Sequence, residues 1–206
     1  MLRNNLESHT THLKCAYLYQ QNTMRDAFVA ALTLNLFHKY CDRIQMTNIA
    51  QIVNVLQSVI LTNGKKMLLT PTYHVFEMYK VHQDATWLPL DLICDQVKVR
   101  DNRTVPMLSV SASKDLGASK DKSGKIHISL ANVDLEQTED VQIDLQGMQL
   151  KEVSGRILAG KNINAHNTFE QPNQVEPKGF KGAKIEKDGT LHIQMPAQSI
   201  VVLEVK

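Results

Sequence analysis

The sequence contains few cysteines and aromatic residues and no long apolar run. Its three cysteines are scattered and odd in number, which argues against a disulfide framework and suits a reducing compartment: Cys15, Cys41 and Cys94. No apolar run approaches the ~20 residues that a membrane-spanning helix needs. The first residues, MLRNNLESHTTHLK, lack the apolar core of a signal peptide. We therefore expect a cytoplasmic protein with no membrane partner.

The charges of the chain are balanced. Its 206 residues include 23 Lys and Arg against 21 Asp and Glu, a net charge of +2, and 43% are hydrophobic. This composition is typical of one or two ordinary globular domains. It gives no reason to expect a nucleic-acid partner, and no motif calls for a cofactor.

One possible metal site lies near the start of the chain. His9, His12 and Cys15 would share one face of a helix, and all three are possible zinc ligands. No fourth ligand accompanies them, so we interpret the stretch as a frayed terminus and predict no metal site. A metal-binding regulator built on these three residues is a remote alternative.

A helix is predicted from about Asn22. Thr23 and Asp26 have the spacing of a capping box, with the Asp in the first turn, where a negative charge is favoured. From Ala27 to Phe37 the helix is apolar nearly all round, so it requires cover on more than one side. Without such cover we expect four of its side chains to be exposed: Val29, Leu32, Leu36 and Phe37.

A short strand is predicted next, over Ile44–Ala50, with polar residues at its end. Asn48, Gln51 and Asn54 follow the apolar positions closely. In barrels, polar side chains at the carboxyl ends of strands line the active-site face. The alternative is that these amides cap turns or satisfy the loop backbone, and the residues alone do not decide between the two interpretations.

A loop and a second helix complete the first half. The loop from Val55 to Leu69 carries the turn signal Asn63-Gly64. Thr70 is the predicted N-cap and Pro71 the first helical residue. The helix carries a core-facing stripe of Val75, Phe76, Tyr79 and His82. We interpret His74 and His82 as packing or surface residues rather than ligands, because no carboxylate or thiol partner is apparent for them.

After about residue 85 the periodicity changes from helical to alternating. Turn signals separate several short strands, which is typical of an antiparallel β-sandwich. Ile163–Gly182 is predicted to be a long surface loop. The alternating stretches are Lys125–Leu130, Val141–Leu145, Thr190–Met195 and Ile200–Val205.

The predicted organisation is therefore a segment of α/β structure over residues 1–85 followed by a β-sandwich over residues 86–206. The order helix, strand, loop, helix fits the closing part of an α/β barrel. A complete barrel needs about 250 residues. We therefore expect a partial (β/α)8 barrel segment and, in this chain, the C-terminal piece of something larger.

Three stretches of the first half carry a family resemblance: YQQNTMRDAFVAALTLNLFHKYCDRI, MTNIAQIVNVLQSVILT and LTPTYHVFEMYKVHQDA. In the second half, VPMLSVSASKD, KIHISLANVD and MPAQSIVVLEVK continue it. Over about residues 17–206 the chain resembles glycoside hydrolase family 51, the α-L-arabinofuranosidases. The resemblance implies a (β/α)8 catalytic barrel followed by a β-sandwich. It also implies release of terminal α-L-arabinofuranosyl groups from arabinan and arabinoxylan oligosaccharides with retention of configuration, frequently by a homo-oligomer.

The resemblance also implies where the catalytic residues lie. Retaining glycosidases use two carboxyl groups about 5–5.5 Å apart. In the family the acid/base glutamate lies well upstream, and the nucleophile belongs to a Glu-Trp motif just before the YQQNT helix. Here Glu7 is the only carboxylate before Tyr17, and no tryptophan follows it. We assign no catalytic residue and expect the chain to be inactive alone.

The resemblance gives the three amides of the predicted strand end a role. Asn48, Gln51 and Asn54 match the family pattern NIAQxVNV and are expected to support the substrate pocket. No sugar contact is carried over to Met67–Leu69. The competing interpretation is a non-catalytic sandwich that binds carbohydrate or a partner. Against it, the second half offers few aromatic rings for stacking on sugars: Trp87, Phe169 and Phe180.

Overall fold

The computed structural model describes residues 22–49, 52–115 and 124–206. These residues form two α-helices and thirteen strands. The helices are α1 (Met24–Lys39) and α2 (Pro71–Tyr79), and α2 continues into a 3-10 turn at Lys80–His82. The strands are β1 (Ile60–Asn63), β2 (Lys66–Leu69), β3 (Ala85–Leu88), β4 (Gln96–Lys98), β5 (Thr104–Pro106), β6 (Leu108–Asp115), β7 (Ile126–Asn132), β8 (Glu139–Ile143), β9 (Val153–Ala159), β10 (Lys178–Gly179), β11 (Ala183–Ile185), β12 (Leu191–Met195) and β13 (Ser199–Val205).

Two larger sheets form most of the second half of the chain, as its alternating stretches predict, and β4 and β5 pair in a separate two-stranded sheet. A six-stranded sheet has the order β10-β9-β13-β7-β6-β3, and a three-stranded sheet has the order β11-β12-β8. All neighbours within them are antiparallel. β13 pairs along its whole length with both β7 and β9, which fits its run of β-branched and leucine side chains.

The two sheets pack face to face over one hydrophobic core. Alternate residues of each strand point into it, as the two-residue period of a strand requires. Its fully buried members include Leu130, Val201 and Leu203 from the large sheet and Leu191 and Ile193 from the small one. The predicted antiparallel sandwich, a mostly β fold with few helices, is confirmed.

The helices cover the opposite face of the six-stranded sheet. Met24, Phe28 and Ala31 of α1 join Val75 and Met78 of α2 in a second hydrophobic core. The sheet contributes Ala131, Leu158, Ile200 and Val202 to it. The described residues are thus arranged as a helical layer, a six-stranded sheet and a three-stranded sheet.

Both helix starts are confirmed. The backbone N–H of Thr23 donates to Oδ2 of Asp26 at 2.7 Å, and the Thr23 hydroxyl lies 3.0 Å from the same oxygen. At α2 the Thr70 hydroxyl accepts a hydrogen bond from the Tyr73 N–H, and Pro71 is the first helical residue. Two orphan donors at the helix starts are satisfied in this way.

The predicted strand at Ile44–Ala50 is wrong for the described residues 44–49, which adopt no regular structure. A strand needs a hydrogen-bonded neighbour, and no partner strand reaches this stretch in the described part of the chain. Most of the stretch is solvent-exposed, and Met46 is 77% exposed. Ala50 lies outside the described residues.

Two predicted loops contain more structure than expected. Val55–Leu69 holds the hairpin β1–β2. The predicted turn is present, but Asn63 ends β1 and the two turn residues are Gly64, at φ +57°, and Lys65. Ile163–Gly182 is not purely a surface loop. Ala165, Asn167 and Val175 are buried against the helical layer, and β10 adds a short edge strand to β9.

Candidate functional site

The three amides predicted at the strand end have separate positions. Asn48 is exposed, and its Nδ2 lies 3.8 Å from Sδ of Met46. Gln51 lies outside the described residues. Asn54 is anchored to the β1–β2 hairpin. The structure therefore does not bring Asn48 and Asn54 together into one described pocket.

Asn54 fixes the segment before the hairpin. Its Nδ2 donates to Oγ1 of Thr62 at 2.8 Å, and its Oδ1 accepts from the Thr62 N–H at 2.8 Å. Its own N–H donates to the Ile60 carbonyl at 3.2 Å. The backbone of Asn54 has φ +53°, a conformation that Asn tolerates better than most side chains. Asn54 is thus a positioning residue for this segment.

The segment next to Asn54 is held to the start of α1. Nε2 of Gln57 donates to Oδ1 of Asp26 at 2.8 Å, and Nδ2 of the buried Asn22 donates to the Ser58 carbonyl at 2.8 Å. Burial acts to raise the pKa of Asp26, but hydrogen bonds from Gln57 and Thr23 outweigh it and hold that pKa below its ordinary value. The loop before the hairpin therefore has a charge-assisted link to the helix N-terminus.

A second buried amide, Asn167, holds the far end of the hairpin. Its Nδ2 donates to the Leu69 carbonyl at 2.8 Å and to the Val175 carbonyl at 2.9 Å. Its Oδ1 accepts from the Val175 N–H at 2.7 Å. Sequence reasoning missed this residue, because it lies 98 positions from Leu69 in a stretch that resembles an ordinary polar loop.

A depression on the small sheet holds two carboxylates, Glu186 and Asp188, but does not enclose them. Its other lining residues are Gln142, Lys184, Lys187, Thr190 and His192. It is open to solvent, and Lys184 and Glu186 already form an ion pair at 2.7 Å. Residues 22–49, 52–115 and 124–206 also contain no cluster of three or more metal-ligating side chains. Glu7, His9, His12 and Cys15 lie outside the described residues.

The part of the chain around these anchors exposes many large apolar side chains. Leu32 and Phe37, which we expected to be exposed, are half-buried, whereas Val29 and Leu36 are 62% and 52% exposed. The further exposed apolar side chains up to residue 69 are Tyr40, Met46, Ile52, Val53, Leu56 and Met67. Large exposed apolar surfaces mark places where proteins meet a partner.

The chain is similar to arabinofuranosidases over most of its length. The alpha-L-arabinofuranosidase C-terminal domain family matches residues 5–199. A curated relative, an intracellular exo-alpha-L-arabinofuranosidase of Bacteroides ovatus, is 57% identical over 190 residues, which are 92% of this chain and 36% of the relative. The chain therefore spans about a third of that relative's length.

Solved structures agree with this match. The arabinofuranosidase of glycoside hydrolase family 51 from Xanthomonas axonopodis pv. citri is 45% identical, with a TM-score of 0.84 over 92% of this chain and 37% of that one. An alpha-L-arabinofuranosidase of Thermotoga maritima, solved with arabinose, is 26% identical, with a TM-score of 0.77 over 91% of this chain and 39% of that one.

Proposed function

The chain belongs to the alpha-L-arabinofuranosidase C-terminal domain family of glycoside hydrolase family 51, and we propose that it is the C-terminal part of a retaining exo-acting α-L-arabinofuranosidase. The substrates would be arabinan and arabinoxylan oligosaccharides, from which terminal α-L-arabinofuranosyl groups are released. The observation that carries this proposal is the 57% identity to an exo-alpha-L-arabinofuranosidase over 92% of the chain.

The chemistry of such an enzyme would reside outside the described residues. Retention requires a nucleophile and an acid/base carboxyl about 5–5.5 Å apart. Carboxylates of the described residues form ion pairs with basic side chains, as Glu77 does with Arg156 at 2.7 Å. We therefore propose that the chain supplies structural support and that it is inactive alone.

The support proposed here is the closing segment of a (β/α)8 barrel within residues 1–85. In its favour, α1 and the residues up to 69 expose apolar side chains that the remaining barrel would cover. The residues 44–49 would become a strand on pairing with barrel neighbours. The sandwich of residues 86–206 would then form the separate C-terminal domain.

The amides that match NIAQxVNV would support the substrate pocket from this segment. Asn54 is suited to that role because it holds the segment with three hydrogen bonds to the hairpin. The same supporting role is proposed for Asn48 and Gln51 from the sequence pattern alone. A displacement of about 1 Å in a positioning segment can lower a rate ~100-fold.

The proposed enzyme would be cytoplasmic and would assemble as a homo-oligomer. The curated relative is named intracellular. Neither helix of the described ranges has the length and apolarity to cross a bilayer. The balanced net charge of +2 favours neither a membrane nor a nucleic acid as partner.

The proposal is tested by transferring this chain into the Bacteroides ovatus relative in place of the matching segment. We expect the chimera to hydrolyse a chromogenic α-L-arabinofuranoside, and the 206-residue chain alone and the relative without the segment to be inactive. An Asn54→Ala chimera should lose ~10–100-fold in kcat/KM. Asn173→Ala is the matched control, since its side chain is exposed and lies outside the NIAQxVNV pattern.

Three outcomes would overturn parts of this assignment. A folded chimera without activity would contradict the proposed supporting role. Hydrolysis by the isolated chain that Glu7→Gln abolishes would place a nucleophile in this chain. Sugar binding by the isolated chain without turnover would instead favour a carbohydrate-binding module.

A further inference from the structure

Three histidines lie together where the helical layer meets the six-stranded sheet. His38 is near the end of α1, His82 ends the 3-10 turn after α2, and His127 is on β7. The ring centroids of His38 and His82 are 4.7 Å apart, and those of His82 and His127 are 6.5 Å apart. We call these three residues the histidine cluster. It lies apart from the hairpin anchors discussed above.

The cluster joins both helical segments to one strand. Nδ1 of His38 is 3.1 Å from Oγ of Ser111, and Nδ1 of His82 is 2.7 Å from Oγ of Ser113. Ser111 and Ser113 are buried on β6, on the face that the helices cover. These two histidine–serine hydrogen bonds therefore attach the end of α1 and the end of α2 to the sheet.

The surroundings of His82 do not stabilise a positive charge on its imidazole. Its side chain is 8% exposed, and its Nε2 is buried with no hydrogen-bond partner among the described residues. A second proton would add an N–H donor without an acceptor in a poorly hydrated site, which is unfavourable. Burial, followed by the neighbouring His38 and His127, lowers the pKa of His82 to about 3, and burial also lowers the pKa of His38.

The charged groups on the surrounding elements have partners other than His82. Oδ2 of Asp115 on β6 is 3.4 Å from Nε2 of His127, and the phenol of Tyr79 beside the cluster stays neutral because burial raises its pKa. The other ion pairs of carboxylates on the packed elements are Glu204 with Lys125 at 2.9 Å and with Lys206 at 3.5 Å, and Glu77 with Lys80 at 3.1 Å and with Arg156 at 2.7 Å. None of these carboxylates hydrogen-bonds His82 in the described structure.

We propose that the histidine cluster makes the contact between the helical layer and the six-stranded sheet dependent on pH. The contact is closed while His38 and His82 are neutral. Protonation of His82 in acid favours an opened state, in which α1 and the Lys80–His82 turn leave the sheet and water reaches the imidazole. The sandwich keeps its own core between the two sheets and remains folded.

The direction of the pH effect follows from proton linkage. The closed state binds the His82 proton less readily than the opened state, in which the imidazole regains its ordinary pKa of 6.5. The contact is therefore most stable above pH 6.5 and weakens as the pH falls from 6.5 towards 3. Uptake of one proton raises the equilibrium constant for opening about tenfold per pH unit, and uptake of two raises it about a hundredfold.

Amide hydrogen exchange between pH 7.5 and 5 tests the proposal, with rates corrected for the intrinsic pH dependence. Below about pH 6 we expect protection in α1 and the Lys80–His82 turn to fall ~10–100-fold per unit, while protection in β12 stays constant. Trp87 on β3, the one tryptophan, reports on the same contact by fluorescence, because it is the cross-strand partner of Ser113 on β6. Its emission should shift together with the helical amides.

Variants separate this mechanism from ordinary acid unfolding. His82→Gln removes the titrating group and should abolish or at least halve the pH slope of helix protection. His192→Gln, on the small sheet, is the matched control and should keep the wild-type slope. An unchanged slope in His82→Gln, or a parallel loss of protection in β12, would overturn the proposal. If His82→Gln does not fold, an NMR titration of the His82 ring resonances in the wild type tests the proposal instead. Opening of the helical layer without protonation of His82 would overturn the proposal as well.

Discussion

The six-stranded sheet is buried on both faces, but the two faces consist of different residues. On β6 the residues Leu108, Val110 and Ala112 pack in the sandwich core, while Ser111 and Ser113 face the helices. The residues of β7 alternate between the two faces in the same way, and all seven are buried. Alternation of apolar and polar residues thus does not identify a face that meets water, because helices cover the polar face here.

The difference shows what specifies each contact. Two apolar faces associate through non-directional burial. On the sheet face that the helices cover, each buried hydroxyl and amide instead requires a defined hydrogen-bond partner. The position of α1 on the sheet is therefore set by hydrogen bonds as well as by its apolar residues.

Leu203→Ala addresses the sandwich face and should have the largest effect. Leu203 is fully buried between the sheets, so the substitution leaves a cavity and should lower the free energy of unfolding by about 3–4 kcal/mol. Urea denaturation measures this. A loss below about 1 kcal/mol would mean that the sandwich core collapses to fill the space.

Asn35→Ala addresses the helix face through a polar contact. Nδ2 of Asn35 donates to Oγ of Ser109 at 3.0 Å, and its Oδ1 accepts from Oγ of Ser129 at 2.8 Å. Removing the buried amide takes away the closer acceptor of the Ser129 hydroxyl and leaves it only the Ser111 carbonyl at 3.4 Å, so we expect a loss of about 2 kcal/mol.

A double variant tests that explanation of Asn35. Ser129→Ala added to Asn35→Ala removes the hydroxyl that has lost its closer acceptor and should cost less than the sum of the two single changes. Strict additivity would show that the two side chains act independently and would remove the argument that hydrogen bonds position α1.

Asp26→Asn tests the link between α1 and the hairpin segment. The carboxylate accepts from Gln57 and Thr23, so its loss should cost about 1 kcal/mol at pH 7. Because the pKa of Asp26 is lowered in the folded protein, this stability is present above the ordinary Asp pKa of 3.8 and is lost as the pH falls below it. The variant and the wild type should therefore converge in stability near pH 3, as measured by urea unfolding at each pH.

The sequence predicted the features that depend on local chemistry. The Thr23–Asp26 cap and the Thr70-Pro71 helix start are confirmed, and the turn that Asn63-Gly64 signals is present at Gly64-Lys65. Alternation predicted the sandwich strands, because one of their faces is uniformly apolar. The barrel segment, the division at residue 85 and the pocket roles of Asn48, Gln51 and Asn54 stay predictions.

What the sequence could not provide depends on partners far along the chain. Ile44–Ala50 has strand-like residues but no neighbour to pair with among the described residues, so its predicted strand is wrong where it can be compared. Asn167 and the histidine cluster were missed because their partners lie 31 to 98 residues away. Side-chain type predicts that a buried polar group needs a partner, but not which residue supplies it.

Leu36→Lys should have the smallest effect on the stability of this chain. Leu36 is 52% exposed on the side of α1 that faces away from the sheet. Lys has a helix propensity close to that of Leu, and a positive charge near the C-terminal end of a helix is favourable. We expect the free energy of unfolding to change by less than about 0.5 kcal/mol.

In the chimera with the Bacteroides ovatus relative, the same substitution would place a charge on surface that the rest of the barrel is proposed to cover. The activity and thermal stability of the chimera should then fall, although the stability of the isolated chain hardly changes. Equal tolerance in both settings would mean that the outer side of α1 faces water in the whole enzyme as well, and the proposed barrel contact would have to be placed elsewhere.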